Sequence, residues 1–464
     1  MALSRSYSPC PIFVGAVPNR EATPVTNKPS WPSFGSGSVM PTKWNRQMHN
    51  NKNIMRTLIT LSPCLVVGTA GAEGFVEDSK ASLQLQNYYF NRDFRDGAGQ
   101  SKREEWAQGF LFDFRSGYTP GTVGFGLDAL GMLGIKLDSS PDRSGSGLLP
   151  VHDDGRAADE FSRLGLTAKV KVSESELKYG TLIPKLPTVQ ANTGRILPQT
   201  FEGGLLTSNE IEGLTLTGAR FNRVTDRDST DAQKITLNNK NRRFAGAVEG
   251  DDYWVGGFDY AVNKGLTISY QYAELQDVYR QSFLGINHSW SIGPGKLKSD
   301  LRYMLSDDAG SAKGGAIDSG ALSGLFTYSL GGHAFGLGLQ KMNGDTSMPF
   351  LNGTDPYLTN YIQINDFAEP GERSWQLRYD YNFAAIGIPG LTFMTRYVKG
   401  DNADAATHVG EGREWERNTD IAYVFQSGAL KNFGVRWRNA AYRSNLARGA
   451  DENRLIVSYT LPIW

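Results

Sequence analysis

From Trp106 to the C-terminal residues, apolar and polar side chains alternate along stretch after stretch of the chain. "LTISYQYAE" sets Leu266, Ile268, Tyr270 and Tyr272 on one face and Thr267, Ser269, Gln271 and Ala273 on the other. "YWVGGFDYAV" repeats the scheme with Trp254, Phe258 and Tyr260, and "RSWQLRYDYNF" sets Trp375, Leu377, Tyr379 and Phe383 against Gln376, Arg378, Asp380 and Asn382. In "EEWAQGFLFDFRSGY", Trp106, Phe110, Phe112 and Phe114 oppose Asp113 and Arg115. A period of two is the signature of β-strands with one apolar and one polar face. No apolar run reaches the ~18 residues that a helical membrane span needs. Strands of about ten residues with aromatics near their ends fit a transmembrane barrel.

The connections sharpen this. Short turns fall at Ser116–Gly121, Val172–Ser173, Glu212–Gly213, Asn263–Gly265, Gly293–Gly295, Gly331–Gly332, Ala385–Gly390 and Gly428–Lys431. Long segments lie between them, near 92–103, 138–160, 184–204, 225–250, 275–279, 306–318, 342–372, 400–414 and 444–451. The pattern predicts an all-β fold, a transmembrane barrel of about 18 antiparallel strands with short periplasmic turns and long extracellular loops. A sandwich has no reason to alternate loop length in this way. A chain of 464 residues would by length alone suggest several domains. No linker interrupts residues 80–464, so one closed unit is expected, with a water-filled lumen. The closing segment "RLIVSYTLPIW" ends in Trp464, an aromatic anchor for the interface.

The N-terminus reads differently. Residues 1–39 are rich in Pro and Ser and read as disordered or as a mis-assigned start, with Met40, Met48 and Met55 as further possible starts. Residues 40–72 read as a signal peptide: Arg46, Lys52 and Arg56, then the apolar "TLITLSPCLVVGTAGA", ending at Ala70-Gly71-Ala72. Cleavage there removes Cys10 and Cys64, the only cysteines, and leaves 41 basic against 47 acidic residues, a net charge of about −6. A net-acidic exported chain is a poor candidate for nucleic acid. The barrel is expected over residues 73–464 and begins without a plug-sized domain, which weighs against an energised transporter.

The parity that sends aromatics toward lipid sends arginines inward. "FGVRWRNAAYR" shows Val435 and Trp437 outward and turns Arg436 and Arg438 to the lumen. Arg378, Arg396 and Arg454 share that parity, as do Lys298 and Arg302 of "KLKSDLRYML". On a lipid face each arginine near mid-membrane costs about 2–4 kcal/mol, so the lumen is the place for them. Inward positions on one strand lie about 6.6 Å apart, where two charges interact by about 2.5 kcal/mol at an effective dielectric near 20. A column of arginines is therefore costly to itself and attractive to an anion. The bland alternative is that lumen acids such as Asp113, Asp300, Asp380 and Asp420 pair with them and stiffen the wall. The segment "IPKLPTVQANTGRILPQTF" carries Pro184, Pro187 and Pro198, cannot extend the sheet, and is suited to fold inward with Lys185 and Arg195. Covering the outer rim is its simpler role.

Several long segments in order resemble the OprD family of outer-membrane porins, the outer-membrane carboxylate channels: "NYYFNRDFRD", "LPTVQANTGRILPQTFEGG", "FLNGTDPYLTNYIQINDFAEPGE", "REWERNTDIAYVFQSGALKNFGVRWRNAAYRS" and "ENRLIVSY". The resemblance implies a narrow eighteen-stranded barrel in the bacterial outer membrane, an inward constriction loop and a basic ladder for carboxylates. The matching ladder positions are Arg378, Arg396, Arg436, Arg438, Arg454 and Arg92, and Arg195 matches the loop arginine. An acidic patch is also implied, for which Asp307 and Asp355 are candidates. Trp464 departs from the family's usual last residue. The expected partners are small carboxylate solutes and outer-membrane lipid, with a monomer or loose homotrimer both open. The family's two branches favour basic amino acids or aromatic and aliphatic carboxylates, and "SKASLQLQNYYFNRDF" leans toward the second. A barrel hydrolase is the rival, but no G-x-S-x-G elbow, H-E-x-x-H or paired Cys/His spacing is present. His152 and His408 fall in long loops, and neither a metal nor a cofactor is expected.

Overall fold

The computed structural model describes residues 74–246 and 248–464. Eighteen antiparallel strands form one sheet, each hydrogen-bonded to its neighbours in sequence. The first, Lys80–Phe94, pairs with the last, Ala450–Pro462, from Ser82↔Pro462 to Phe94↔Ala450, so the sheet closes on itself. Closure removes the edges, which is the only way a sheet can satisfy its backbone in lipid. Two 3-10 turns, Lys240–Arg242 and Phe383–Ile386, are the only helical elements among the described residues. Residues 1–73, which include the expected signal peptide, lie outside the described residues.

Side-chain exposure follows the predicted parity. Leu164, Tyr179, Phe335, Leu339 and Leu377 stand on the outer face, each at least half exposed, in a band no water-soluble surface would carry. Trp375, Tyr397 and Trp415 stack in a row on three adjacent strands, with centroids 5.6 and 5.7 Å apart, as an interfacial girdle does. At the short-turn rim the tight turns need left-handed backbone, supplied by Gly213 (φ 77°) and Gly331 (φ 59°).

Two connections differ from expectation. The segment 275–279 is a tight turn rather than a long loop: Leu266–Leu275 and Tyr279–Ile292 are joined by three residues, with Asp277 at φ 62° and Val278 buried. The first strand runs through Arg92 to Phe94, because pairing with Lys102–Arg115 continues to Asp93↔Lys102.

Apolar clusters form inside the barrel, where loops fold in. The segment 183–199 leaves the strand Ser175–Leu182, makes a two-residue pairing of Lys185–Leu186 with Val189–Gln190, and returns at Thr200–Ile211. One end packs among Phe201, Phe221, Tyr253 and Leu275. Its Ile196 and Leu197 pack with Tyr88, Phe90 and Leu148.

Candidate functional site

The prolines explain why the 183–199 segment is free to cross the bore. With donors removed at Pro184, Pro187 and Pro198 it cannot join the sheet, and its polar groups must find partners elsewhere. It finds them on opposite walls. Tyr253 donates to the Thr188 carbonyl at 2.7 Å, and the Thr188 amide and hydroxyl reach Gln271. Across the ring, Tyr88 donates to the Gly194 carbonyl at 3.2 Å. Gly109 leaves room for the loop, since a Cβ there would stand 2.9 Å from the Ile196 carbonyl oxygen. The strands Lys80–Phe94 and Lys102–Arg115 hold one end, Tyr253–Asn263 and Leu266–Leu275 the other. The loop thus crosses the interior from one wall to the other.

Beside it lies a cavity of about 460 Å³, lined by Phe90, Arg92, Arg103, Arg195, Arg227, Arg438 and Arg454 with Asn192, Asp228, Asp355 and Tyr361. The three guanidinium groups of Arg92, Arg195 and Arg454 all stand within 5.6 Å of the Phe90 ring centroid. That ring is buried and offers its negative face to each. Arg195 is anchored by its own loop and the preceding long one: it donates to the Ser146 and Gly194 carbonyls at 3.0 and 2.9 Å. Burial and the neighbouring Arg454 guanidinium lower its pKa to about 9, which leaves it charged at neutral pH.

The wall arginines form a row by register, with one inward step along a strand from Asn418 to Asp420. Arg378 faces Arg396, Arg396 faces Asn418, Asp420 faces Arg438, Arg438 faces Arg454, and Arg454 faces Phe90. Strands in such barrels tilt by about 35–45°, so a row of register neighbours climbs the wall obliquely rather than ringing it. Its lower end opens on a hollow of about 410 Å³ lined by Arg378, Asp380, Asp420 and Arg436 near the Gly331–Gly332 turn.

Carboxylates are present but shared. Arg436 donates its Nε to both Asp420 oxygens at 2.9 Å, and Arg438 approaches the same carboxylate at 3.2 Å. Arg92 and Arg454 flank the buried Glu452, with the Arg92 Nε at 2.6 Å. Arg378 alone holds a private partner, Asp380, with two bonds of 2.7 Å. Arg396 makes no ion pair among the described residues and donates to Asn418 at 2.7 Å. Five arginines therefore share three carboxylates, Asp380, Asp420 and Glu452, and with Arg396 outside any ion pair the six guanidinium groups outnumber these ion-pair partners by three. Arg302 is braced separately by Asp300 at 2.6 Å and lies 3.8 Å from the Tyr357 ring centroid, while Lys298 is exposed.

The remaining expectations divide. Asp355 lines the cavity and accepts from Tyr361 at 2.6 Å and Asn192 at 2.7 Å. Burial raises its pKa above the ordinary aspartate value. Asp307 does not belong to an inner patch. It shares parity with Tyr303 and Leu305 on the outer face, is exposed, and lies 3.6 Å from Arg280. Lys185 stands exposed on its small hairpin and does not line the cavity. Sequence reasoning missed Arg103, Arg227, Phe90, Tyr361 and Glu452. Phe90, Arg103 and Glu452 carry inward parity and were readable from it; Arg227 and Tyr361 come from loops, where no period applies.

Comparison with known proteins gives one answer. Residues 73–463 match a family model described as outer membrane porin, OprD family. The porin-like protein GalP of Pseudomonas putida is 43% identical over 417 residues, covering 88% of this chain and 99% of GalP. The crystal structure of Pseudomonas aeruginosa OccK5 (OpdH) is 62% identical, with a TM-score of 0.77 over 84% of this chain and 100% of that one. Pseudomonas aeruginosa OpdK, solved with vanillate, is 43% identical with a TM-score of 0.80 over the same shares.

Proposed function

Because this chain belongs to the OprD family, substrate-specific porins of the bacterial outer membrane, we propose that it passes small carboxylate solutes, guided by the row of lumen arginines. The observation that carries this reading is the surplus of arginine over carboxylate along one register-connected row. Bracing alone does not call for it. Like charges directly opposite on neighbouring strands are destabilising, yet Arg378 faces Arg396 and Arg438 faces Arg454. A wall under selection for rigidity alone would do better with one acid per arginine.

A carboxylate entering the cavity exchanges water for guanidinium, which grips it through paired N–H donors. Arg92, Arg195, Arg438 and Arg454 surround the narrow stretch, while Arg436 and Arg378 stand at the lower hollow. The carboxylate partners already present weaken each grip, and conduction requires binding loose enough to release. The partly exposed ring of Tyr361 beside the arginines suits a solute with a ring or an aliphatic body. OpdK with vanillate, an aromatic carboxylate, supports that branch. A second reading, basic amino acids, draws on Asp228 and Asp355, which line the same cavity and offer an ammonium group a partner.

A liposome uptake panel separates them. Benzoate and vanillate are expected to enter faster than arginine and lysine, and all of these faster than an uncharged sugar of similar size. Preferred uptake of arginine and lysine assigns the second reading. Equal rates for charged and uncharged solutes overturn both.

A further inference from the structure

The outer wall carries a second collection of cations, on the face opposite the ladder. At the long-loop ends of five adjacent strands, His333–Asn343 to Gly434–Ser444, outward parity belongs to Lys341, Arg373, Lys399, Arg413, Arg417 and Arg443. They are neighbours by register: Lys341 faces Arg373, Arg373 faces Asp401, Lys399 faces Trp415, and Trp415 faces Arg443. Three carboxylates stand among them, Asp401 on Lys399 at 3.2 Å, Glu411 on Arg413 at 2.9 Å and Asp451 on Arg443 at 2.8 Å. Lys341, Arg373 and Arg417 are exposed and make no ion pair among the described residues.

Their depth gives the patch its meaning. The stacked Trp375, Tyr397 and Trp415 mark the interface on these same strands. Arg373, Lys399 and Arg413 lie two residues beyond those rings toward the long loops, at head-group level. Arg417 lies two residues on the other side of Trp415 and faces Tyr397 by register, at the girdle itself. An unpaired arginine turned to lipid is unfavourable, more so with depth, unless its charge is met from outside the protein. Water and carboxylates are the usual answer for a surface cation, and neither is provided at the girdle by this chain.

The patch is also local. On the arc from Leu214–Thr225 to Asp318–Leu330, the outward charges at the same rim are Arg220, Arg223 and Arg280 against Asp252, Glu274, Asp307 and Asp318. Arg220 and Arg280 are paired, and the acids outnumber the bases. The surplus of cations on the five strands is thus not repeated on this arc.

We propose that this sector binds the phosphate-bearing head group of a lipid in the outward-facing leaflet, with its acyl chains lying along the apolar wall below. Guanidinium and phosphate match in geometry and charge, and a diphosphorylated head group would supply the anions that Lys341, Arg373 and Arg417 lack. Acyl chains descending past Tyr397 would meet Leu377, Phe393 and Ile421, which carry the same outward parity.

The test uses the full barrel in detergent, with lipid A carrying both phosphates, dephosphorylated lipid A and zwitterionic phosphatidylethanolamine as probes, read by native mass spectrometry. The wild-type protein is expected to retain the diphosphorylated form at least tenfold more strongly than either of the others. K341Q/R373Q/R417Q should lose that preference, R280Q should keep it, and single-channel conductance should stay unchanged in both, since none of these residues lines the lumen. Should the triple variant fail the heat-shift test of a folded barrel, Arg417→Gln and Arg417→Lys alone decide, with loss in the first and retention in the second. Equal retention of phosphorylated and dephosphorylated lipid by the wild type, or a preference that survives the glutamine substitutions, overturns the proposal.

Discussion

Replacing Arg436 and Arg438 with alanine does more than remove two cations, because both hold Asp420. The local group of two arginines and one aspartate carries a net charge of +1, and the double variant carries −1. A solute carboxylate one inward step away, about 6.6 Å, feels each unit charge as about 2.5 kcal/mol at an effective dielectric near 20 and about 0.6 kcal/mol at that of water. A swing of two charges therefore costs the anion between about 1.3 and 5 kcal/mol. The lower bound already amounts to about tenfold in rate, since 1.4 kcal/mol is a factor of ten. Carboxylate uptake into liposomes should fall at least that far, reversal potentials in planar bilayers should move toward cation selectivity, and raising the salt should shrink both effects.

Adding Asp420→Asn to the double variant separates charge from bracing. The triple variant is neutral at this point and should recover part of the lost anion preference, although it has no ion pair left. If the arginines served only to stiffen the wall, the third substitution would restore nothing. Uncharged sugars should pass as before or faster in either variant, because side-chain volume has been removed. Wild-type carboxylate uptake at low salt by a correctly folded double variant would refute the ladder.

Deleting the central residues of the 184–201 loop should raise single-channel conductance several-fold. Gly109→Val should act in the same direction more mildly, because a Cβ there meets the Ile196 carbonyl at 2.9 Å; unchanged conductance in both would place the loop away from the conducting path. Since burial raises the pKa of Asp355, lowering the pH should protonate it before an ordinary aspartate and so strip a negative charge from the cavity. Anion selectivity should therefore climb as pH falls, the packed loop gaining stability from the same proton, and Asp355→Asn should flatten that step in the bilayer. Arg243 clamps Asp366 at 2.7 Å and Glu369 at 2.8 Å, all three buried, so Arg243→Ala should cost about 3–5 kcal/mol locally and open residues 343–372 to protease. Burial alone would raise Asp366, but Arg243 and Lys240 outweigh it and hold the carboxyl far below its ordinary value. The clamp's contribution is therefore complete above the ordinary aspartate pKa, about 4, and is lost only as pH falls through that depressed value, so wild-type protease resistance should survive mild acid.

What could be read from the sequence was whatever a period of two encodes. Eighteen strands, their lipid faces and the inward parity of Arg378, Arg396, Arg436, Arg438 and Arg454 all follow from alternation, because a strand side chain has only two directions to take. The same rule excludes Asp307, which shares its face with Tyr303 and Leu305. Register is not encoded in this way. That Asp420 stands between Arg436 and Arg438, or that Glu452 meets Arg92 from the far end of the chain, depends on which residues of neighbouring strands lie opposite. Loops are less legible still. Three prolines announce a segment that cannot join the sheet, but only its partners Tyr253, Gln271 and Tyr88 say that it spans the bore.

Sharing of carboxylates resolves the tension between a rigid wall and an attractive one. With an acid for every arginine, the row would be neutral and would draw no anion. With none, adjacent guanidinium groups would repel and splay, and each would swing in the water of the lumen. One carboxylate between two arginines fixes both side chains while leaving one positive charge unanswered, as Asp420 does for Arg436 and Arg438 and Glu452 does for Arg454 and Arg92. Glu452→Gln should therefore strengthen the field and loosen its source at once. Anion selectivity should rise, while open-channel current noise should increase as Arg92 and Arg454 lose the group that holds them. A quieter channel with unchanged selectivity would show that the shared carboxylate neither tethers these arginines nor tempers their charge.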